Sequence, residues 1–200
     1  MLAREENQRG VDLRREARAL AQAAGHRGLV SRLDSDLGGA LTVAGDYRGA
    51  EVALLRSLEE SEALGRSTLY PLANLGIALV DLGRPAEARP LLTRALGIAE
   101  LEGRKFLPGG LHVDLARCAA LEGNGAEFDR LVDRAARLLP QDFCYEVSFA
   151  RHLAACGDQA ADAGQPESAR RAWGLAAVQL RLHGATDEAD VWASKVAALG

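Results

Sequence analysis

Two hundred residues suffice for one or two domains, and an apolar share of 48% beside 26% charged residues is that of a soluble globular chain. Aromatic residues make up only 4%, so the core must be built from Leu, Ala and Val, which favours close helix packing over a β-sandwich. The net charge of −4, with basic residues interspersed among acidic ones as in Arg14-Arg15-Glu16, leaves no one-signed patch for nucleic acid, and no apolar run reaches the roughly 18 residues of a membrane span.

The first residues, among them Arg4, Glu5, Glu6 and Arg9, are charged where a secretory signal needs an apolar stretch. Cys118, Cys144 and Cys156 are odd in number and without close pairs, which argues for reduced thiols. Both features point to a cytoplasmic chain. Of the 24 basic residues only Lys105 and Lys195 are lysine, a bias we read as compositional.

In chain order, Val11, Leu13, Ala17, Leu20 and Ala21 follow helical spacing and predict a lone N-terminal helix over residues 5–25. A first helix pair follows over 29–65, carried by Leu33, Leu37, Gly38 and Leu41, a turn at Gly45, then Ala50, Leu54, Ser57 and Leu58. The second pair, 67–102, is the most regular. Leu72, Leu75, Gly76 and Leu79 share one face, Gly76 leaving a notch for a second helix; Gly83 suits a left-handed helix end and Pro85 the first turn of the next helix. Ala88, Leu91, Leu92, Ala95 and Leu96 complete its apolar stripe.

Gly38, Gly45, Ala50 and Leu54 correspond to Gly76, Gly83, Ala88 and Leu92 at a constant offset of 38 residues. The pattern returns at an offset of 40 over 108–140 (Leu115, Ala116, Gly123, Phe128, Val132, Ala135), ending at the helix stop Pro140. It returns again at an offset of 41 over 142–183 (Cys156, Gly157, Gly164, Ala169, Trp173, Ala176). Thr186 is a candidate N-cap for a last helix, 186–199, with Asp187 and Glu188 in its first turn to complement the helix dipole and close the open end of the stack. A hairpin of this size is marginal alone, since burying a leucine contributes about 1.5–3 kcal/mol while ordering each residue's backbone costs about 1–2 kcal/mol. Such periods therefore predict an all-α solenoid in which each pair buries its face on the next.

On Leu75, Gly76, Leu79, Ala88, Leu92 and Ala95, with Asn74 and the Gly83-Arg84-Pro85 turn, the chain resembles the tetratricopeptide repeat family over residues 29–183. The repeats are longer than the usual span of about 34 residues, and Glu62, Glu100 and Arg181 replace the terminal proline of three copies. This is similar to the long-repeat branch found in kinesin light chains and in bacterial regulators and kinase-associated arrays. The resemblance implies a single domain over 1–200, a right-handed stack of four antiparallel helix pairs with an extra helix at each end.

It also implies a concave groove lined by the first helix of each pair: Arg32, Ser35 and Thr42; Tyr70, Ala73, Ile77 and Asp81; Val113, Arg117 and Ala120; Arg151, Ala154, Asp158 and Asp162. Mixed in sign and partly apolar, such a groove suits a helix or extended peptide. The carboxylate clamp of the chaperone-binding subclass is not carried over: Asn74 matches it, but Ser35, Gly39, Gly110 and Asp114 stand in the other places. Cys144, Ser148, His152 and Cys156 fall on one helical stripe, and His152 with Cys156 has a spacing two ligands could use, but structural zinc needs four ligands and usually close cysteine pairs, so no metal or cofactor is expected. There is no phosphate loop, zinc-protease motif, nucleophile elbow or Cys-x-x-Cys, and Trp173 and Trp192 lie on apolar stripes as core residues.

The expectation is a non-enzymatic module that binds another protein or peptide segment within a bacterial signalling or regulatory system, with no nucleic acid and no membrane as partner and a homo-oligomer left open. The alternative is a regulatory array that senses a ligand or peptide, and a cryptic enzyme is the remotest reading.

Overall fold

A computed structural model of the chain describes residues 2–104, 107–138 and 147–199. Its described elements are ten helices and no strand: α1 (Leu2–Ala23), α2 (Arg27–Ala44), α3 (Tyr47–Ala63), α4 (Leu69–Asp81), α5 (Pro85–Leu101), α6 (Leu107–Leu121), α7 (Gly125–Leu138), α8 (Val147–Asp162), α9 (Pro166–Leu182) and α10 (Thr186–Ala198). The fold is an all-α helical repeat. The chain forms two compact units, Met1–Ile98 and Ala99–Gly200. In the first, α1 packs on α2, α2 on α3 and α3 on α4; in the second, α6 packs on α7 and α8, α8 on α9, and α9 on α10. Pro140 and Cys144 lie outside the described residues.

The turns follow from glycine chemistry. Gly83 takes φ +72, a left-handed value that costs a side-chain-bearing residue about 1–2 kcal/mol. In that conformation the Gly83 and Arg84 N–H groups reach back to the Val80 and Leu79 carbonyls at 2.9 Å, closing the end of α4, and Pro85 opens α5 with its φ already set for a helix. The equivalent glycines 45, 123 and 164 share this geometry. At the start of α10 the expectation shifts by one residue: Ala185 is the N-cap, no side chain caps the helix, and Thr186 lies inside its first turn.

The notch expected at Gly76 exists and has a specific occupant. A Cβ on Gly76 would stand 2.5 Å from Leu92 Cγ and Cδ2, so the leucine fills the space that glycine leaves. Leu54 fills the notch at Gly38 and the Trp173 ring the one at Gly157. Large and small partner are 16 residues apart in each hairpin, and the third hairpin sets Ala116 and Val132, both fully buried, in those places. Where the small residue gains a methyl, the large one loses carbon, as a core of fixed volume requires.

Stripe and exposure do not coincide everywhere. Ala88, Leu92 and Ala95 are fully buried, but Leu91 and Leu96 are only half-buried; on α1, Val11 and Ala21 are buried while Leu13 and Leu20 face outward. Between helices that are one repeat apart run ion pairs: Glu51 with Arg84 at 2.9 Å and Glu62 with Arg94 at 2.9 Å from α3 to α5, and Asp133 with Arg171 from α7 to α9. Solvent screens such exposed pairs, so they fix register more than they stabilise.

Candidate functional site

In the first unit the expected groove residues stand on two helices, Arg32, Ser35 and Thr42 on α2 and Tyr70, Ile77 and Asp81 on α4. Arg32 and Tyr70 are exposed, Thr42, Ile77 and Asp81 half-buried, and Ser35 and Ala73 buried. The Thr42 hydroxyl donates to the Gly38 carbonyl at 3.0 Å, a bond within its own helix.

Arg32, Ser35 and Tyr70 converge on one cleft of about 330 Å³, whose walls also include Ser31, Ser57, Ser61, Arg66 and Asp36. Its floor is a serine lock between α2 and α3. The Ser57 hydroxyl donates to the Ser31 carbonyl at 2.7 Å, and the Ser31 hydroxyl donates to the Ser57 carbonyl at 3.1 Å. Ser61 Oγ lies 2.8 Å from Ser31 Oγ. A hydroxyl has one proton, so with the Ser31 proton given to Ser57 it is Ser61 that donates to Ser31. Three of the four buried serines thus commit their protons.

Ser35 does not. It is 4% exposed, and its Oγ has no hydrogen-bond partner. The acceptor that a helical serine ordinarily uses, the carbonyl four residues back, is the Ser31 carbonyl already taken by Ser57. At the mouth stand Arg32 and Arg66, both exposed and without an ion pair among the described residues, whereas Arg18, Arg27, Arg56, Arg84 and Arg94 of the same unit all have carboxylate partners. Arg66 is brought there by the α3–α4 turn, and its guanidinium lies against the Gly28 backbone where a Cβ would otherwise project. The spacing of Ser31 with Ser35, and of Ser57 with Ser61, puts each pair on one helix face, which was the signal for this floor; Arg66, in a turn, carries none.

In the second unit the expected groove residues are in part buried and in part bonded to neighbouring helices. Val113, Arg117 and Ala120 are buried, at 0%, 3% and 1% exposure, because α8 packs across this part of α6. The Cys156 thiol donates to the Val113 carbonyl at 3.6 Å, His152 Nδ1 lies 3.3 Å from Asp114 Oδ1, and Arg117 Nη1 lies 3.9 Å from the same oxygen. On α8, Ala154 is buried and Arg151 and Asp158 are tied to α10: Arg151 Nε and Nη2 each donate to Glu188 at 3.0 Å, and Lys195 donates to Asp158 at 2.6 Å. Hydrogen bonding to Glu188 raises the Arg151 pKa against the opposing effect of burial. Of this group only Asp162 is exposed without a bond.

Trp173, 6% exposed, stacks on Trp192 with ring centroids 6.5 Å apart, and the Lys195 ammonium sits over both rings at 5.0 and 4.5 Å. Both rings serve the packing of α9 and α10. Among the described residues no three His, Cys, Asp or Glu side chains gather as metal ligands, and no helix is long and apolar enough to cross a membrane.

Cys118 and Cys156 are buried free thiols, and burial pushes the Cys156 thiol well above the usual range, the Arg117 charge only partly opposing it. Alkylation at pH 8 followed by peptide mass spectrometry should show Cys156 protected about 100-fold relative to the urea-unfolded chain, because the thiolate is the reactive form. As pH rises through the ordinary thiol pKa of about 8.5, the unfolded chain ionises at this position and the folded one does not, so this contribution to stability is lost on the alkaline side.

Residues 29–100 match the family model described as tetratricopeptide repeat. No curated protein matches the chain. Among solved structures the chain is similar to BtubC (BKLC) from P. vanneervenii, at 15% identity with a TM-score of 0.54, over 98% of this chain and 89% of that one. At that identity the likeness is one of fold. The tetratricopeptide repeat is thus matched by sequence over residues 29–100, and the helical-repeat fold over nearly the whole chain.

Proposed function

We propose that the chain is a non-enzymatic protein-interaction module that holds a peptide or partner helix against α2 and α4 of its first unit. Tetratricopeptide repeats are in general protein–protein interaction modules. The observation that carries the reading here is the single cleft formed by Arg32, Ser35 and Tyr70, residues of two successive repeats. Tyr70, 51% exposed beside it, is an aromatic of the kind that dominates binding energy at interfaces. The setting we propose is a bacterial signalling or regulatory system, in line with the long repeats.

The test is affinity capture with the full chain, followed by measurement of the captured partner's affinity for Tyr70→Ala and Ile77→Asp. Both positions have solvent access, so helicity should be unchanged while affinity falls by about 1–3 kcal/mol. A partner that binds both variants as tightly as the wild type would refute the groove.

A further inference from the structure

We propose that the Ser35 cleft is a subsite for one anionic side chain, a carboxylate or a phosphate monoester, presented by the bound peptide. The inference rests on the peptide-binding reading above and adds to it a chemical class. Three observations carry it. Arg32 and Arg66 stand at the mouth with no ion pair among the described residues. Ser35 Oγ is buried with its proton uncommitted, because Ser57 occupies its usual acceptor and Ser31 and Ser61 are locked to each other. A buried hydroxyl left in this state costs free energy until something accepts its proton. Tyr70, finally, supplies a phenol at the same rim.

An oxyanion entering the cleft would accept from Ser35 and from the two guanidinium groups, whose planar forks match carboxylate and phosphate oxygens. The volume of about 330 Å³ is at the small end for ligand sites, room for a side chain and its neighbouring backbone. Asp36 on the same wall limits the charge to be accepted. With two positive groups and one negative, the cleft favours a single anionic side chain in a neutral surrounding over a polyanion, whose further charges Asp36 would repel.

The test is a ¹⁵N NMR titration of the full chain at low salt with three blocked tripeptides, acetyl-Gly-Xaa-Gly-amide, where Xaa is glutamate, phosphoserine or glutamine. Glutamate or phosphoserine should shift the amides of Gly28, Ser31–Asp36 and Arg66–Tyr70 at millimolar concentration, the tighter of the two naming the oxyanion; glutamine should not. Arg32→Gln with Arg66→Gln should weaken that binding about tenfold. Ser35→Ala should weaken it about threefold while leaving the melting temperature unchanged or slightly higher, a combination that a merely structural serine would not give. Gly28→Ala, which displaces the Arg66 guanidinium at its flexible end, should also weaken it. Equal shifts with glutamine, no localised shifts with either anion, or indifference to the arginine variants would overturn the subsite. Those outcomes leave the Tyr70 and Ile77 affinities, and so the peptide-binding reading, standing or falling separately.

Discussion

Leu92→Asp should abolish the folding of the first unit. Leu92 is fully buried in the notch at Gly76, between α4 and α5. Removing the leucine alone costs about 2–5 kcal/mol, and burying an unpaired charge adds several more. Against a domain stability of about 5–15 kcal/mol that sum leaves little or nothing. Loss of roughly half the helical circular dichroism, with aggregation or a broadened gel-filtration peak, is the expected result; a fully helical variant with unchanged melting would contradict the packing described.

The same pair offers a subtler measurement. Gly76→Ala and Leu92→Val convert the second hairpin to the combination that the third already uses, Ala116 against Val132. Each single change mismatches the notch, by a clash or by a void. The double variant should be more stable than the sum of the two by at least about 0.5 kcal/mol, the coupling expected of residues in direct contact. Strict additivity would mean that the two sites do not sense each other.

The second large effect is expected at Trp173. Its ring fills the Gly157 notch, stacks on Trp192 and lies under Lys195, so Trp173→Ala opens a cavity and undoes the α9–α10 contact together. Truncating a buried tryptophan costs about 3–5 kcal/mol. For a unit of about 100 residues each kcal/mol moves the midpoint by roughly 4–8 °C, so the second unit should melt at least about 12 °C lower by circular dichroism. Lys195→Met, which removes the cation and its bond to Asp158 but keeps an apolar stem over the rings, should cost no more than about 1–2 kcal/mol. If the lysine variant proved as damaging as the tryptophan one, the cation and not the ring would be the support of α10.

The sequence made the hairpins legible because the turn glycines and the small and large residues of each notch recur at fixed offsets, and periodic signals survive without knowledge of the neighbours. The candidate site was only partly legible. Arg32, Ser35 and Tyr70 were placed by their position on the first helix of a pair, and they do meet. Val113 and Arg117, on the first helix of the third pair, are buried, since what covers a helix face is decided by the helix across from it and not by the face itself. Arg151 and Asp158 each have a partner 37 residues later on α10, a pairing that no pattern within α8 announces. Arg66 was invisible because a turn residue has no periodicity to place it.

The stacked rings of Trp173 and Trp192 have a practical corollary. They are the only two tryptophans in the chain, and both belong to the second unit. Intrinsic emission excited at the indole band therefore reports one unit and is blind to the other, while the far-ultraviolet signal sums both. Two optical melts of the same sample would separate the units without a single label, and any gap between the two midpoints would be a direct measure of how far the chain departs from all-or-none unfolding.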